Sequence, residues 1–221
     1  MPGKPHTVGD VMTRTVASVG RDAPFKDVVA LMEKWKVSAL PVLEEDGRVI
    51  GVVSEADLLP KEEFRDSDPD RFTQRQRIDD LAKAGALCAG EVMSTPAVTV
   101  HPNATLAQAA RIMAQRKVKR LPVVNDESLL EGVVSRSDLL KVFLRDDEAL
   151  AEEVRHEVVD RLFPLSADHI QVEVTEGVVA LTGWVENNGL AAVADRLARA
   201  VEGVVDVRCC LVPGSARSEP A

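Results

Sequence analysis

The sequence predicts a chain of α/β and α+β units: two βαββα half-units closing on each other about a pseudo-two-fold axis, followed by a small αββαβ domain. Three observations predict it. Residues 9–59 recur without a gap as residues 90–140, at an offset of 81. Each copy ends in an apolar strand that leaves a glycine, stops at a serine and turns into a helix near an aspartate. These segments are Gly51-Val52-Val53-Ser54-Glu55-Ala56-Asp57 and Gly132-Val133-Val134-Ser135-Arg136-Ser137-Asp138. The last third then switches to a different succession of apolar periods: helix, strand, strand, helix, strand.

In each copy the elements follow in the same order. Residues 16–19 and 98–100 are brief extended pieces. Phe25, Val28, Val29 and Met32 lie at helical spacing, as do Leu106, Ala109, Ala110 and Met113. Residues 40–43 and 121–124 read as strands entered through Pro41 and Pro122, where a missing N–H suits the first residues of a strand. Asp46-Gly47 supplies a hairpin turn into residues 49–53. The matching turn, Asp126-Glu127-Ser128, lacks glycine and is expected to be looser. Each half-unit is too small to bury a comfortable core alone, which is the reason to expect the two to pack together.

Residues 60–89 form a charged linker with a helix expected over 78–86. Arg71, Arg75 and Arg77 interleave there with Asp66, Asp68, Asp70, Asp79 and Asp80, the pattern of a solvated segment rather than a phosphate patch. After Leu140 the helical pattern runs on, giving a continuous helix over 138–145 that leads into the last domain at 147–213. There Leu150, Val154, Val158 and Leu162 mark a helix, residues 170–174 and 178–185 two strands, and Leu190, Val193, Ala194, Leu197 and Val201 a second helix ended by Gly203. Residues 204–212 make a last strand, and residues 214–221 read as a disordered tail.

Composition narrows the function classes. With 45% hydrophobic and 29% charged residues the chain can build cores and stay in solution, and no apolar run reaches the ~18–20 residues of a bilayer-spanning helix. Aromatics are 3% and tyrosine is absent, which leaves little of the stacking platform used for single-stranded nucleic acid. The net charge is −9, and residues 147–213 carry most of it, with five arginines against thirteen acids. Nucleic acid and anionic membrane surfaces are therefore not expected partners of that domain. Cys88, Cys209 and Cys210 have no metal or redox spacing, and no secretory signal is read at the N-terminus, so the expectation is a cytoplasmic protein with reduced thiols.

No catalytic motif emerges. His6, His101, His156 and His169 are scattered, and there is no nucleophile elbow, P-loop or His-Glu-x-x-His helix, so the chain is expected not to be an enzyme and to need neither a metal nor a required cofactor. The candidates for chemistry are Ser54 with Asp57 and Ser135 with Asp138. Their spacing allows two roles. One is a helix capping box. The other is a nucleotide site, in which the carboxylate accepts from ribose hydroxyls while the serine and the helix N–H groups meet phosphate.

Residues 9–59 and 90–145 resemble a pair of CBS (cystathionine-β-synthase-type) domains. The resemblance rests on Asp10-Val11-Met12 and Glu91-Val92-Met93, Leu40-Pro41-Val42 and Leu121-Pro122-Val123, and both Gly-Val-Val-Ser-x-x-Asp segments. Residues 147–213 resemble a BON domain through Gly177-Val178-Val179-Ala180-Leu181-Thr182-Gly183-Trp184-Val185 and Val201-Glu202-Gly203-Val204. The first resemblance implies a regulatory sensor of adenosine nucleotides (AMP, ADP or ATP), with the aspartates holding ribose. It also implies a homodimer through helical faces. Adenine would be enclosed by Thr15, Val16, Ala39, Leu40 and Pro41 in copy one, and by Pro96, Ala97, Arg120, Leu121 and Pro122 in copy two.

Copy two offers Lys119, Arg120 and Arg136 where copy one has Ser38, Ala39 and Glu55. Phosphorylated adenosine is therefore expected at the Asp138 site, where Asp138→Ala should cost roughly 2–4 kcal/mol of AMP affinity if two hydrogen bonds to a charged acceptor are lost. The Asp57 site is expected to be weaker, empty, or suited to a less charged adenosyl compound. Nucleotide binding would be relayed through the continuous helix to the BON domain or to an unknown protein partner. The alternative is a structural or membrane-associated stress protein in which the BON domain acts and the CBS pair is a ligand-free dimerisation platform.

Overall fold

The computed structural model describes residues 6–65, 78–185 and 187–214. The arginines at 71, 75 and 77, the aspartates at 66, 68 and 70, and residues 215–221 of the expected tail lie outside them. The chain forms two compact units: Thr7–Asp138, and a second that comprises His6 and residues 139–214.

The first unit holds the repeat. It opens with the single turn α1 (Val8–Val11), followed by β1 (Val19–Gly20), α2 (Phe25–Trp35), β2 (Ala39–Leu43), β3 (Val49–Ser54), α3 (Glu55–Leu58) and α4 (Pro60–Glu63). The helices α5 (Ile78–Gly85) and α6 (Ala89–Val92) lead into the second copy. Its elements are α7 (Leu106–Gln115), β4 (Arg120–Val124), β5 (Leu130–Ser135) and α8 (Arg136–Leu140), whose last two residues pass into the second unit.

The two sheets repeat each other. β2 pairs antiparallel with β3 through Leu40↔Val53, and β4 with β5 through Leu121↔Val134. β1 adds a parallel strand beside β2, whereas residues 98–100 contribute only a parallel bridge, Val100↔Val123. α2 buries Val28 and Met32 and α7 buries Ala109 and Met113, the stripe expected from their spacing. Each helix ends on a lysine in the left-handed region, Lys36 (φ 52°) and Lys117 (φ 55°), again 81 residues apart.

The hairpin turn of copy two is not looser than its partner. Ser128 takes the left-handed φ of 65° that Gly47 (φ 87°) takes in copy one. Asn125 offsets the missing glycine: its side-chain oxygen accepts from the backbone N–H groups of Glu127 (3.0 Å) and Leu129 (2.9 Å). A short polar side chain that hydrogen-bonds forward is the other standard way to hold such a turn.

The copies dock by exchange of their opening segments. Thr13 bridges Val133 of the other copy, and Ser94 bridges Val52; Thr7 bridges Thr105, and Pro24 bridges Cys88. Each of these pairs maps onto its mate under the offset of 81, and the Arg48↔Leu129 bridge maps onto itself, so it lies on the pseudo-axis. The glycine that opens each Gly-Val-Val-Ser segment exists for this contact. A Cβ on Gly51 would fall 2.5 Å from the Met93 sulfur, and one on Gly132 2.7 Å from the Met12 sulfur.

The expected continuous helix over 138–145 does not form. α8 stops at Leu140, residues Lys141–Leu144 tighten into a 3-10 turn, and Arg145 is extended (φ −66°, ψ 145°). Arg145 leaves the helix because its guanidinium is held by the Glu202 carbonyl (2.7 Å) and by the Glu153 carboxylate.

In the second unit α9 (Asp147–Val154) continues through a π-helical turn, Arg155–Val159, and a last α turn to Leu162. Then come β6 (Ile170–Thr175), β7 (Val178–Val185), α10 (Ala191–Ala200) and β8 (Asp206–Pro213), with β6 and β7 antiparallel and β7 and β8 parallel. Val154, Val158, Val179, Leu181, Ala194, Ala198 and Val207 fill the core. The last strand starts at Asp206, two residues later than expected, because Val205 donates to the Gly177 carbonyl (2.8 Å) before the ladder begins. His6 joins this unit through Glu202, whose carboxylate accepts from the His6 backbone N–H (2.7 Å). The three cysteines are free; Cys209 is half-buried, with burial pushing its thiol pKa up, and Cys210 is exposed.

Candidate functional site

Both Ser-x-x-Asp turns fold as capping boxes. The Asp57 Oδ2 accepts from the Ser54 backbone N–H (2.8 Å) and hydroxyl (2.5 Å), and the Asp138 Oδ2 accepts from the same groups of Ser135 (2.9 and 2.6 Å). Each aspartate is nevertheless held at the wall of a cleft, and both are among the few buried charged residues of the described chain.

The clefts are composite. One, of about 260 Å³, is lined by Ser54 and Asp57 from copy one and by Ser94, Pro96, Ala97, Val98, Lys117, Val118, Lys119 and Arg120 from copy two. The other, of about 250 Å³, is lined by Ser135 and Asp138 from copy two and by Thr13, Thr15, Val16, Ala17, Trp35, Val37, Ala39 and Pro41 from copy one. The lining residues correspond almost one for one under the offset of 81. The reason is the docking just described: the strand edge that carries each aspartate is bridged by the opening segment of the other repeat.

This changes the grouping read from sequence. Lys119, with Pro96 and Ala97, gathers at Asp57 and not at Asp138, while Thr15, Val16 and Pro41 gather at Asp138. Ala39 and Arg120 touch both clefts, and the Arg120 guanidinium donates to the Ser38 hydroxyl (3.0 Å). Arg136 turns back onto the Val118 carbonyl, with Nε at 3.2 Å and a terminal nitrogen at 3.0 Å. Leu40 and Leu121 are fully buried in the core, and Leu40, Leu121 and Pro122 line neither cleft. The partners of Lys119 and Arg120 were hidden because alternation along a strand specifies a face, not which repeat lies across it.

Lys83, Ser94 and Lys117 were missed. Ser94 could have been found from its match to Thr13 in the repeat. Lys117 is legible only as a helix terminus, and Lys83 lies on the linker with no motif around it. Yet Lys83 Nζ donates to Asp57 Oδ1, which also accepts from the Ser94 hydroxyl (3.0 Å). Burial pushes the Asp57 carboxyl pKa up, but the hydrogen bonds from Lys83 and Ser54 outweigh it and hold the group below its ordinary value of 3.8.

The two clefts offer different chemistry. At Asp57 a carboxylate stands beside three cations, Lys117, Lys119 and Arg120, in a cavity just under the range of small-molecule sites, about 300–1,000 Å³. At Asp138 the walls include Trp35, Val37 and Ala39, with Arg120 as the one cation among the described residues that lines both clefts. Among the described residues no group of three or more metal-ligating side chains comes together, and no helix is long and apolar enough to cross a membrane.

A family profile described as CBS domain matches residues 8–61 and 89–145, half of the chain, and one described as BON domain matches residues 146–211. The chain belongs to the CBS domain family. It carries a BON domain after the CBS pair. An uncharacterized protein of Methanocaldococcus jannaschii, MJ1426, is 28% identical over 64% of this chain and 94% of its own length. The chloroplastic CBS domain-containing protein CBSX2 of Arabidopsis thaliana is 28% identical over 63% of this chain. The match takes in 64% of CBSX2, so the chain spans less than two thirds of that relative. Among solved structures, CBSX2 in complex with AMP superposes with a TM-score of 0.55 at 30% identity, covering 63% of this chain and 97% of that one.

Proposed function

We propose that this CBS pair is a non-enzymatic regulatory sensor that binds an adenosine nucleotide, AMP first among AMP, ADP and ATP, between its repeats. One observation carries the reading: a buried carboxylate, Asp57, which could accept from ribose hydroxyls, shares a cavity with Lys117, Lys119 and Arg120, cations that could meet phosphate. The AMP complex of CBSX2 supports the same ligand class. AMP is assigned to the Asp57 cleft, and a less charged adenosyl compound to the Asp138 cleft, whose lining among the described residues has Arg120 as its one cation against three at Asp57.

Occupancy is relayed to the BON domain or to a protein partner. Dimerisation through the helical face of copy one is supported by the groove of about 610 Å³ at α2 and α3, bordered by the exposed side chains of Val29 and Leu59. We place the protein in the cytoplasm.

Calorimetry with AMP and with adenosine tests the reading. AMP should bind more tightly than adenosine, by a margin that shrinks with salt, and should raise Tm with the logarithm of its excess over Kd, adding about 2.7 kcal/mol of stability at a hundredfold excess. Absence of AMP binding, or AMP binding indifferent to both Asp57→Ala and Asp138→Ala in folded protein, overturns it.

A further inference from the structure

The Asp57 carboxylate has no acceptor position left for a sugar. An ionised carboxylate offers about four lone-pair sites, and four donors fill them: the Ser54 N–H and hydroxyl at Oδ2, and the Ser94 hydroxyl and Lys83 ammonium at Oδ1. Three of these donors belong to the walls of the cleft itself. The fourth does not. Lys83 sits on α5, in the linker between the repeats, and its side chain is only 20% exposed against the 10% exposed Asp57.

The helix that carries it is anchored at its end. Lys61, whose ammonium also stands 5.0 Å from the centre of the Phe25 ring, donates to the carbonyls of Ala84 (2.9 Å) and Ala86 (2.8 Å). Under the offset of 81 the position of Lys83 is taken by Pro164, in the second unit, so the repeat does not duplicate this lysine.

We propose that Lys83 is a tethered competitor for the ribose at Asp57, so that the linker decides whether this cleft accepts a nucleoside. The inference rests on the Asp57 cleft being a nucleotide site. A ribose that takes Oδ1 displaces the ammonium, and α5 then loses its side-chain hold on copy one. Ligand entry at the Asp57 cleft is thereby converted into release of Lys83 on α5 from its carboxylate partner. The tether contributes a fixed, intramolecular cost to binding, which its removal abolishes.

The test is AMP titration by calorimetry on the full chain as wild type, Lys83→Met and Lys83→Gln, with hydrogen exchange followed at residues 79–85. Both variants should bind AMP about tenfold or more tightly than wild type, the equivalent of one hydrogen bond to a charged group. AMP should speed exchange of these amides in wild type and leave the already faster exchange of the variants unchanged. AMP that binds wild type but binds both folded variants equally or more weakly, or that slows exchange in wild type, overturns the competitor role and leaves the nucleotide reading standing. No AMP binding by wild type or by either variant overturns the nucleotide reading and the competitor with it. Binding by the variants alone is the strongest support.

Discussion

The Asp57 and Asp138 clefts are built from equivalent parts and differ in what reaches them. Both are walled by a capping-box aspartate of one repeat and by the opening segment of the other. At Asp57 the helix-to-strand corner of copy two adds Lys117, Lys119 and Arg120, and the linker adds Lys83; at Asp138 the same corner of copy one supplies Trp35, Val37 and Ala39, and Arg120 is shared by both walls. Divergence at two of these positions, Lys119 against Ser38 and Arg120 against Ala39, leaves the Asp57 cleft with three lining cations and the Asp138 cleft with one among the described residues. In this pseudo-symmetric pair most of the side chains that distinguish the two clefts come from the repeat that does not carry the aspartate.

The largest effect expected from breaking this comparison is at the aspartates. Asp57→Ala should cost AMP roughly 2–4 kcal/mol of binding free energy, as two hydrogen bonds to a charged acceptor are lost, less whatever the release of Lys83 returns. Asp138→Ala should change AMP affinity much less and instead weaken adenosine, both read by calorimetry. Equal losses in the two variants would show that the clefts do not divide the ligands by charge.

The next effect is on the docking that makes the clefts composite. Gly51→Ala and Gly132→Ala each push a Cβ into a methionine of the other repeat, and each should destabilise the first unit by about 1–3 kcal/mol in urea unfolding. Similar losses at the two positions sharpen the symmetry; a loss at only one would break it.

Smaller still is the cation exchange. Lys119→Ser, which gives the Asp57 cleft the residue copy one has, should cost AMP about 1 kcal/mol at low salt and leave adenosine unaffected. Gain of AMP affinity in this variant would remove Lys119 from the phosphate side.

The pH effect is the most modest. The Asp57 carboxyl is held below 3.8, so its contribution to stability is present in full above that value and fades as pH falls through the lower, folded value. Asp57→Asn should therefore unfold less steeply with acid than wild type below about pH 4, measured by Tm against pH.

Much of this was legible in the residues. The offset of 81, the glycines at 51 and 132 and the Ser-x-x-Asp turns fix the repeat and both aspartates, because strand-to-helix punctuation is local chemistry. Arg145 was less legible, since it leaves the helix for a carbonyl 57 residues away that no periodicity announces. The turn at Asn125 lay in between. Its side-chain hydrogen bonds are local, but the signal was an asparagine one position before the expected turn.

By itself the sequence determined the duplication, the order of elements, the apolar faces and the residue types available for a sugar and a phosphate. Only the tertiary structure decided which of them meet. The opening segment of each repeat crosses to the sheet of the other, and a linker lysine lies on Asp57. Both are contacts between parts distant along the chain, set by which surfaces pair when two half-sized cores must bury each other, and spacing along one copy carries no information about that.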